Sequence, residues 1–120
     1  MRILHVEDSA LDSELFVRQL RRCGLSVDYV RVDTERALQG ALSERRWDAV
    51  ISDFALGTMN GFLVFAMVRA SDATVPFFLF TGDLPRDVAA RGLARGMTDV
   101  FSKDAPGALI EELRAIPSRP

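Results

Sequence analysis

Short apolar runs rich in β-branched and aromatic residues alternate with helical patterns from one end of the chain to the other. The predicted strands cover residues 3–6, 27–32, 49–53, 75–81 and 99–102. A segment with helical spacing of its apolar residues follows each strand. Right-handed crossovers place the helices of such units on both faces of a parallel sheet. Five strand–helix pairs therefore predict an α/β fold built on a doubly wound parallel sheet.

Periodicity and helix-capping residues locate the five helices. Residues 10–22 carry apolar side chains at three-and-four spacing, which predicts one buried face with Leu11, Leu15, Phe16 and Leu20, and Gly24 ends this helix. The fourth helix is predicted from Pro85 to about residue 95. The remaining helices are predicted after Thr34, over residues 62–69 and around residues 109–116.

The composition is that of one globular domain. The chain has 120 residues, of which 48% are apolar and 27% charged, and its formal net charge is -2. We predict a single domain over residues 1–120 with no output domain. No apolar run approaches the ~20 residues of a membrane span, and the near-neutral charge argues against direct nucleic-acid binding. The single cysteine, Cys23, is predicted to be a buried small hydrophobe and favours a cytoplasmic protein.

Polar residues close or directly follow four of the predicted strands at their carboxyl ends: Glu7, Asp8, Asp53, Thr81 and Lys103. In a doubly wound sheet, ligands bind outside this edge, at the point where the order of the strands reverses. With the flavodoxin-like order 2-1-3-4-5, the first and third strands are neighbours at that point. Asp8 and Asp53 are therefore expected to converge there.

Carboxylates that share one crevice repel each other. Two unit charges about 4 Å apart cost on the order of 4 kcal/mol at an effective dielectric constant of ~20. Either protonation or a hard divalent cation can offset this repulsion, and Mg²⁺ favours one or two carboxylates with waters and a phosphate group. A hydroxyl and an ammonium beside the acids suit an anion with several oxygen atoms. Together these groups describe a phosphoryl-transfer site in which Asp53 can become phosphorylated.

These motifs resemble those of the response regulator receiver domain, the CheY-like domain of two-component signalling systems. The resemblance covers essentially the whole chain, and its motifs stand in the family's order at strand ends. They are Glu7 with Asp8, Asp53 with Gly61 beyond it, Thr81 with Gly82, and Lys103. The resemblance implies a signalling domain rather than an enzyme. Such a domain takes a phosphoryl group from a sensor histidine kinase or a histidine phosphotransfer protein and then changes its binding to a downstream protein.

The resemblance also implies a role for each residue that carries the chemistry. Asp53 would be the phosphoacceptor, attacking a phosphoryl group held on a donor histidine. Thr81 would hydrogen-bond one phosphoryl oxygen. Lys103 would pair with the Asp53 carboxylate before transfer and with the phosphoryl group afterwards.

The metal ligands are implied in the same way. Asp8 and Asp53 would bind Mg²⁺ directly, and the backbone carbonyl of Ala55 would supply another oxygen. Glu7 would act mainly through a metal-bound water.

Three positions near the site bear on how far the family pattern applies. Asp104 follows the lysine where the family usually has a proline in a cis peptide bond, so a different loop geometry is expected. Val100 stands where the family commonly has an aromatic switch residue, and the two-residue period of a strand points Phe101 to the opposite face. Asp83 occupies a variable position, where it either caps the fourth helix or orients the hydrolytic water, and we favour the cap.

Other titratable residues are given structural roles. His5, in the first strand, is predicted to be a buried structural residue. Arg86, Arg91 and Arg95 on the fourth helix are predicted to form a solvated face. The alternative is that this helix, with the fifth strand and helix, forms a docking surface for a partner.

Three other functions compete with a phosphorylated receiver. A haloacid-dehalogenase-like phosphohydrolase would need a second acid two residues beyond its nucleophile, where this chain has Ala55. A flavodoxin-like electron carrier would need glycines and hydroxyls to cradle a phosphate after the first strand, where Glu7 and Asp8 would repel it. The third is a degenerate receiver that binds partners without phosphorylation. Its acidic site would be expected to have decayed, whereas this chain keeps every group.

Overall fold

The computed structural model describes residues 1–117, and strands alternate with helices throughout this range. The strands are β1 (Arg2–Val6), β2 (Asp28–Val32), β3 (Ala49–Ser52), β4 (Phe77–Thr81) and β5 (Asp99–Ser102). The helices are α1 (Ala10–Arg22), α2 (Glu35–Glu44), α3 (Gly61–Ser71), α4 (Arg86–Ala94) and α5 (Pro106–Arg114). Residues 118–120, the end of the domain predicted from the sequence, lie outside the described residues. Within residues 1–117, no helix has the length and apolar character that crossing a membrane requires.

The five strands pair in parallel in the order β2-β1-β3-β4-β5. The predicted doubly wound, flavodoxin-like α/β fold is therefore confirmed. β1 and β3 are neighbours, with Val6 opposite Ser52. The order reverses between these two strands, so the residues that follow them leave the sheet side by side at the ligand-binding edge.

An apolar layer covers each face of the sheet, because successive side chains of a strand point to opposite faces. The layer toward α2, α3 and α4 includes Leu4, Leu38, Val50, Val64, Leu79 and Val88. The layer toward α1 and α5 includes Ile3, Phe16, Ile51, Phe78, Leu109 and Leu113. β3 and β4 are buried along their whole length, as their continuous apolar runs predict.

β4 begins at Phe77, whereas the sequence predicted a start at residue 75. Pro76 has no N–H to donate to a sheet. The Val75 carbonyl accepts a hydrogen bond from Arg69 Nη1 at 2.7 Å instead of one from a strand. The Pro76 carbonyl is the first group to bond to the sheet, accepting a hydrogen bond from the Val50 N–H of β3 at 2.9 Å, and β4 proper follows from Phe77.

Only two of the four residues predicted on the buried face of α1 are buried. Leu11 and Leu15 are 64% and 50% exposed, whereas Phe16 and Leu20 are buried. Each residue of a helix is rotated by about 100° from the last, so Leu15 and Phe16 cannot share the centre of one face. Cys23, also predicted to be buried, is exposed at the carboxyl end of the helix.

α4 begins without the side-chain cap predicted from the sequence. Its N-cap position is Pro85, which makes no side-chain capping hydrogen bond, and Asp83 lies exposed in the preceding loop. The prediction that Asp83 caps this helix is wrong because the chain enters the helix two residues later. Thr34 does cap α2 as predicted, its Oγ1 accepting a hydrogen bond from the Ala37 N–H at 3.1 Å.

Candidate functional site

Three carboxylates gather where β1 and β3 end side by side. Glu7 and Asp8 follow β1, and Asp53 follows β3 with its N–H donating to the Val6 carbonyl at 3.0 Å. One oxygen of each carboxylate lies within 4.8 Å of the other two. Glu7 is buried, Asp8 is exposed, and the Asp53 side chain is 13% exposed. The structure therefore brings together the three acids that the sequence predicted would converge.

Lys103 reaches these acids from the end of β5. Its backbone N–H donates to the Thr81 carbonyl at 3.0 Å. Its Nζ donates to Glu7 Oε1 at 2.5 Å, to Asp12 Oδ2 at 2.8 Å and to Asp53 Oδ2 at 2.9 Å. An ammonium group has three N–H donors, so these three carboxylates engage all of them.

Asp12 is a site residue that the sequence reasoning missed. Ser9 caps α1, its Oγ accepting a hydrogen bond from the Asp12 N–H at 3.1 Å. The first turn of α1 therefore begins at the same sheet edge as the acids. The signal that could have revealed Asp12 is this capping serine directly after Asp8, because it keeps the first helical turn beside the end of β1.

Hydrogen bonds from β4 and from the main chain hold the Asp53 side chain. Thr81, buried at the end of β4, makes a side-chain hydrogen bond with Asp53. Asp53 Oδ1 also accepts a hydrogen bond from the Phe54 N–H at 2.7 Å. The predicted acceptor, hydroxyl and lysine therefore meet at one place.

A tight loop connects Asp53 to α3. Ala55 forms an antiparallel bridge with Asn60, which places Ala55 in the loop two residues beyond Asp53. A Cβ at Gly61 would lie 2.7 Å from Leu79 Cδ1 and 3.3 Å from the Asp53 carbonyl oxygen. A side chain at this position would force Leu79 and the Asp53 carbonyl to shift, so glycine favours the close approach of α3 to the end of β3.

The lysine and the acids set one another's ionisation. Burial raises the pKa of Glu7 to about 7, although the hydrogen bond from Lys103 opposes this shift. Burial also acts to raise the pKa of Asp53, but hydrogen bonds from Thr81 and Lys103 outweigh it and hold that pKa below its usual value. Burial acts to lower the pKa of Lys103, and its bonds to Asp12, Glu7 and Asp53 raise it above the usual value. At neutral pH, Asp53 is therefore a carboxylate and Lys103 an ammonium.

We call this cluster the acid pocket; its members are Glu7, Asp8, Asp12, Asp53, Thr81 and Lys103. A family model described as the response regulator receiver domain matches residues 3–114. The chain belongs to the response regulator receiver family. This family consists of signalling domains, which favours the signalling interpretation over the phosphohydrolase and the electron carrier.

Curated relatives of this receiver are transcriptional regulators. The transcriptional regulatory protein QseB of Haemophilus influenzae is 32% identical over 111 residues, which make up 92% of this chain and 48% of that protein. The transcription factor SKN7 of Saccharomyces cerevisiae is 30% identical over 101 residues, or 84% of this chain and 16% of that protein. The receiver therefore spans less than half the length of the curated relatives it matches.

Solved structures share the fold of this receiver. A response regulator from Hahella chejuensis superposes with a TM-score of 0.86 at 24% identity, covering 99% of this chain and 98% of that one. The receiver domain of a sensor histidine kinase from Pseudomonas aeruginosa, solved with magnesium coordinated in its active-site cleft, superposes with a TM-score of 0.78 at 23% identity. That second match covers 94% of this chain and 93% of the other.

The end of β5 departs from the family pattern at the residues that the sequence singled out. Val100 packs against the layer toward α2, α3 and α4, and Phe101 against the opposite layer, as predicted. The Asp104 N–H donates to Ser102 Oγ at 3.1 Å, a bond that a proline could not make. No cis peptide bond occurs within residues 1–117. Lys103 nevertheless reaches the acids, so its placement does not require the usual proline.

Arginines of α4 cover an aromatic ring near the loop that connects Asp53 to α3. Arg91 and Arg95 are exposed, as predicted, but their Cζ atoms lie 4.7 and 4.2 Å from the centre of the Phe62 ring. Phe62 in turn packs edge-on against Phe54, with 5.3 Å between ring centres. The prediction of a merely solvated face was therefore incomplete, because the guanidinium groups also make cation–π contacts. We call Phe62, Arg91, Arg95 and Val100 the α4–β5 face.

A buried polar cluster anchors α1 beneath the acid pocket. Burial first, and then the charge of Lys103, lower the pKa of His5 to about 3, so this residue is neutral. The His5 ring nitrogen Nδ1 lies within hydrogen-bonding distance of the Tyr29 hydroxyl and 3.2 Å from Ser13 Oγ. Ser13 Oγ lies 2.7 Å from the Tyr29 hydroxyl. These contacts tie α1 to β1 and β2, which agrees with the structural role predicted for His5.

Proposed function

We propose that this receiver accepts a phosphoryl group on Asp53 in a Mg²⁺-dependent reaction and thereby changes its binding to a protein partner. The observation that carries the proposal is the geometry around the Asp53 carboxylate. This carboxylate is ionised, accepts hydrogen bonds from Thr81 and Lys103, and has two further acids within 4.8 Å. Its side chain also keeps a path to solvent, because 13% of its surface is exposed.

The donor atoms of the acid pocket suit Mg²⁺. Asp8 and Asp53 supply oxygen ligands for one small cation, and Glu7, with an oxygen within 4.8 Å of theirs, lies close enough to hold a metal-bound water; Mg²⁺ prefers oxygen ligands. We assign the backbone carbonyl of Ala55 as a further oxygen donor. The magnesium ion, when bound, would neutralise charge on the transferring phosphoryl group. The magnesium ion coordinated in the active-site cleft of the Pseudomonas aeruginosa receiver domain supports this assignment.

The reaction needs a nucleophile and groups that stabilise the charge of the phosphoryl oxygens. An Asp53 carboxylate oxygen attacks the phosphorus atom of a phosphohistidine, forming an O–P bond as the N–P bond breaks. The electron pair of the broken bond stays on the histidine nitrogen, which takes up a proton from solvent. Lys103 passes a hydrogen bond from Asp53 Oδ2 to a phosphoryl oxygen, and Thr81 donates to another. Asp53 is the only residue that the reaction modifies covalently.

Signalling partners follow from this chemistry. We assign the donor as a sensor histidine kinase or a histidine phosphotransfer protein, and the output as altered binding to a downstream protein. We assign no direct contact with nucleic acid to residues 1–120, whose formal net charge is -2. The transcription regulators SKN7 and QseB extend well beyond the region that they share with this chain, so any contact that they make with DNA can come from their other parts. We assign the domain to the cytoplasm, where a lone unpaired cysteine such as Cys23 is usual.

Incubation with acetyl phosphate and Mg²⁺, followed by intact-mass measurement, tests the proposal. We expect one phosphoryl adduct that is stable to acid and labile to base, and we expect Asp53→Asn to abolish it. Asp33→Asn is the matched control, because Asp33 is another acid just beyond a strand at the same edge of the sheet. Wild-type protein that remains unmodified would overturn the proposal and favour a receiver that binds partners without phosphorylation.

A further inference from the structure

We propose that Asp12 is a positioning residue that holds the Lys103 ammonium in the acid pocket while the other two partners of that ammonium engage the metal and the phosphoryl group. This inference rests on the proposed phosphorylation of Asp53. It starts from the three carboxylates that share one ammonium, at 2.5, 2.8 and 2.9 Å from Lys103 Nζ.

The three carboxylates are not equivalent. Glu7 and Asp53 belong to the group of acids whose oxygens lie close enough together to hold a cation, and Asp12 does not. Asp53 is also the acceptor, and as an acyl phosphate it presents no free carboxylate to the lysine. Of the three partners of Lys103, Asp12 is therefore the one that neither binds the metal nor carries the phosphoryl group.

The position of Asp12 is fixed by its own helix. Its N–H is bound to the capping Ser9 Oγ at 3.1 Å, so it lies in the first turn of α1. The next residue, Ser13, is buried and lies within hydrogen-bonding distance of His5 and Tyr29 in the core. Because this turn is anchored at both residues, the Asp12 carboxylate can hold the Lys103 ammonium in a fixed position. Supporting residues hold reactive groups in place in the same way at other functional sites.

Solvent exposure determines how a truncation of Asp12 should act. The Asp12 side chain is 43% exposed and that of Lys103 is 18% exposed. Asp12 and Lys103 also border a groove of about 160 Å³ that lies between α1 and the start of α5. When Asp12 is truncated, water from this groove can accept the hydrogen bond from the Lys103 N–H that is left without its carboxylate. Water does not hold the ammonium in one place, however. Loss of Asp12 should therefore cost orientation of Lys103 more than it costs stability.

Positioning and simple charge removal predict opposite results. Removing a negative charge near an incoming phosphoryl group lowers repulsion, so a pure charge effect makes both Asp12→Ala and Asp12→Asn faster acceptors. A positioning role makes Asp12→Ala slower by about fivefold, the loss of one charge-assisted hydrogen bond at a partly exposed site. The amide oxygen of Asp12→Asn can still accept from Lys103, so this variant should label within about twofold of the wild-type rate.

Two measurements on the full chain test the inference. The first is the rate of adduct formation with acetyl phosphate at saturating Mg²⁺ for the wild type, Asp12→Ala, Asp12→Ser and Asp12→Asn. Glu14→Ala, on the same helix, is the control for losing an exposed acid. The second is the magnetic resonance signal of the Lys103 ammonium, which needs no assignment because Lys103 is the only lysine of the chain. We expect Asp12→Ala and Asp12→Ser to broaden this signal through faster proton exchange, and Asp12→Asn to preserve it.

The outcomes separate this inference from the proposed function. Wild-type protein that labels, together with Asp12→Ala and Asp12→Ser that label as fast or faster, overturns the inference and leaves the proposed function intact. Wild-type protein that does not label overturns both. Slower labelling of the two truncated variants, with the Lys103 signal broadened and the asparagine variant near normal, supports the inference. The serine variant keeps the test valid where the alanine variant proves unstable.

Discussion

The acid pocket and the α4–β5 face differ in how closely they follow the receiver pattern. The pocket has an acid, a hydroxyl or a lysine at every position that the resemblance requires. The face has Val100 in place of the usual aromatic residue, and two arginines cover Phe62. An apolar residue cannot replace a charged group of the pocket, because the charges there pair with one another. On the face, different side chains can fill the same volume, so its residues can vary more freely. The difference teaches that the chemistry of a receiver and the packing of its surface are separate requirements on the chain.

Phe54 is where the two regions come closest. Its N–H donates to Asp53 Oδ1 at 2.7 Å, and its ring packs against Phe62 with 5.3 Å between centres. A shared residue does not by itself couple two regions, because coupling requires an element with two arrangements that both regions bias. The experiments below ask whether the pocket and the face act independently.

Asp8→Ala should have the largest effect, and it acts on the pocket alone. We expect Mg²⁺ binding to weaken at least ~100-fold, about 2.7 kcal/mol, because an oxygen ligand is lost from a group of three. Isothermal titration calorimetry measures the affinity. Asp33→Ala, which removes another acid at the same edge of the sheet, should leave it unchanged. Equal affinities for Asp8→Ala and the wild type would contradict the placement of a cation among these acids.

Phe62→Ala tests the face by itself. We expect the free energy of unfolding to fall by about 2 kcal/mol, because a nearly buried ring is lost. Arg95→Ala should cost only about 0.5 kcal/mol, the size of one exposed cation–π contact. Urea denaturation measures both changes. If the two regions are independent, the Mg²⁺ affinity of Phe62→Ala should stay within about twofold of the wild type. A larger change would show that the face and the acid pocket are coupled.

Lys103→Arg should slow phosphorylation by acetyl phosphate about tenfold while Mg²⁺ binding persists. The planar guanidinium group cannot present three donors to three carboxylates from one nitrogen atom, as Lys103 Nζ does. Adduct formation by intact mass gives the rate, and Arg114→Lys is the reciprocal control on α5. A wild-type rate in Lys103→Arg would show that the point charge of the lysine has no special part in the pocket.

Mg²⁺ affinity should depend on pH through Glu7. Burial raises the pKa of Glu7 to about 7, so acid protonates this carboxylate and the proton competes with the cation. We expect the affinity to fall about fivefold from pH 7 to pH 6 and to rise about twofold from pH 7 to pH 8. Titration calorimetry at each pH measures this, and Glu7→Gln should flatten the dependence. A wild-type affinity that is constant over this range would contradict the shifted pKa.

Local patterns in the sequence predicted the fold and most of the pocket. The alternation of strands and helices, the cap at Thr34 and the opposite faces of Val100 and Phe101 depend on residues within one or two turns of each other. The same reasoning misplaced Leu15 and Cys23. Neighbouring residues of α1 differ in direction by about 100°, so its apolar residues cannot all lie on one face. The periodicity of the sequence does not show which of these faces packs against the sheet.

By itself, the sequence determined that acids, a hydroxyl and a lysine end the strands of a parallel sheet, because capping, periodicity and strand alternation are short-range properties. Only the tertiary structure decided that Asp12 joins Lys103 across 91 positions of the chain, that Glu7 is buried, and that α4 arginines cover Phe62. Those contacts depend on how each helix is rotated and seated against the sheet. That seating is settled by the packing of the whole core at once, which no single segment encodes.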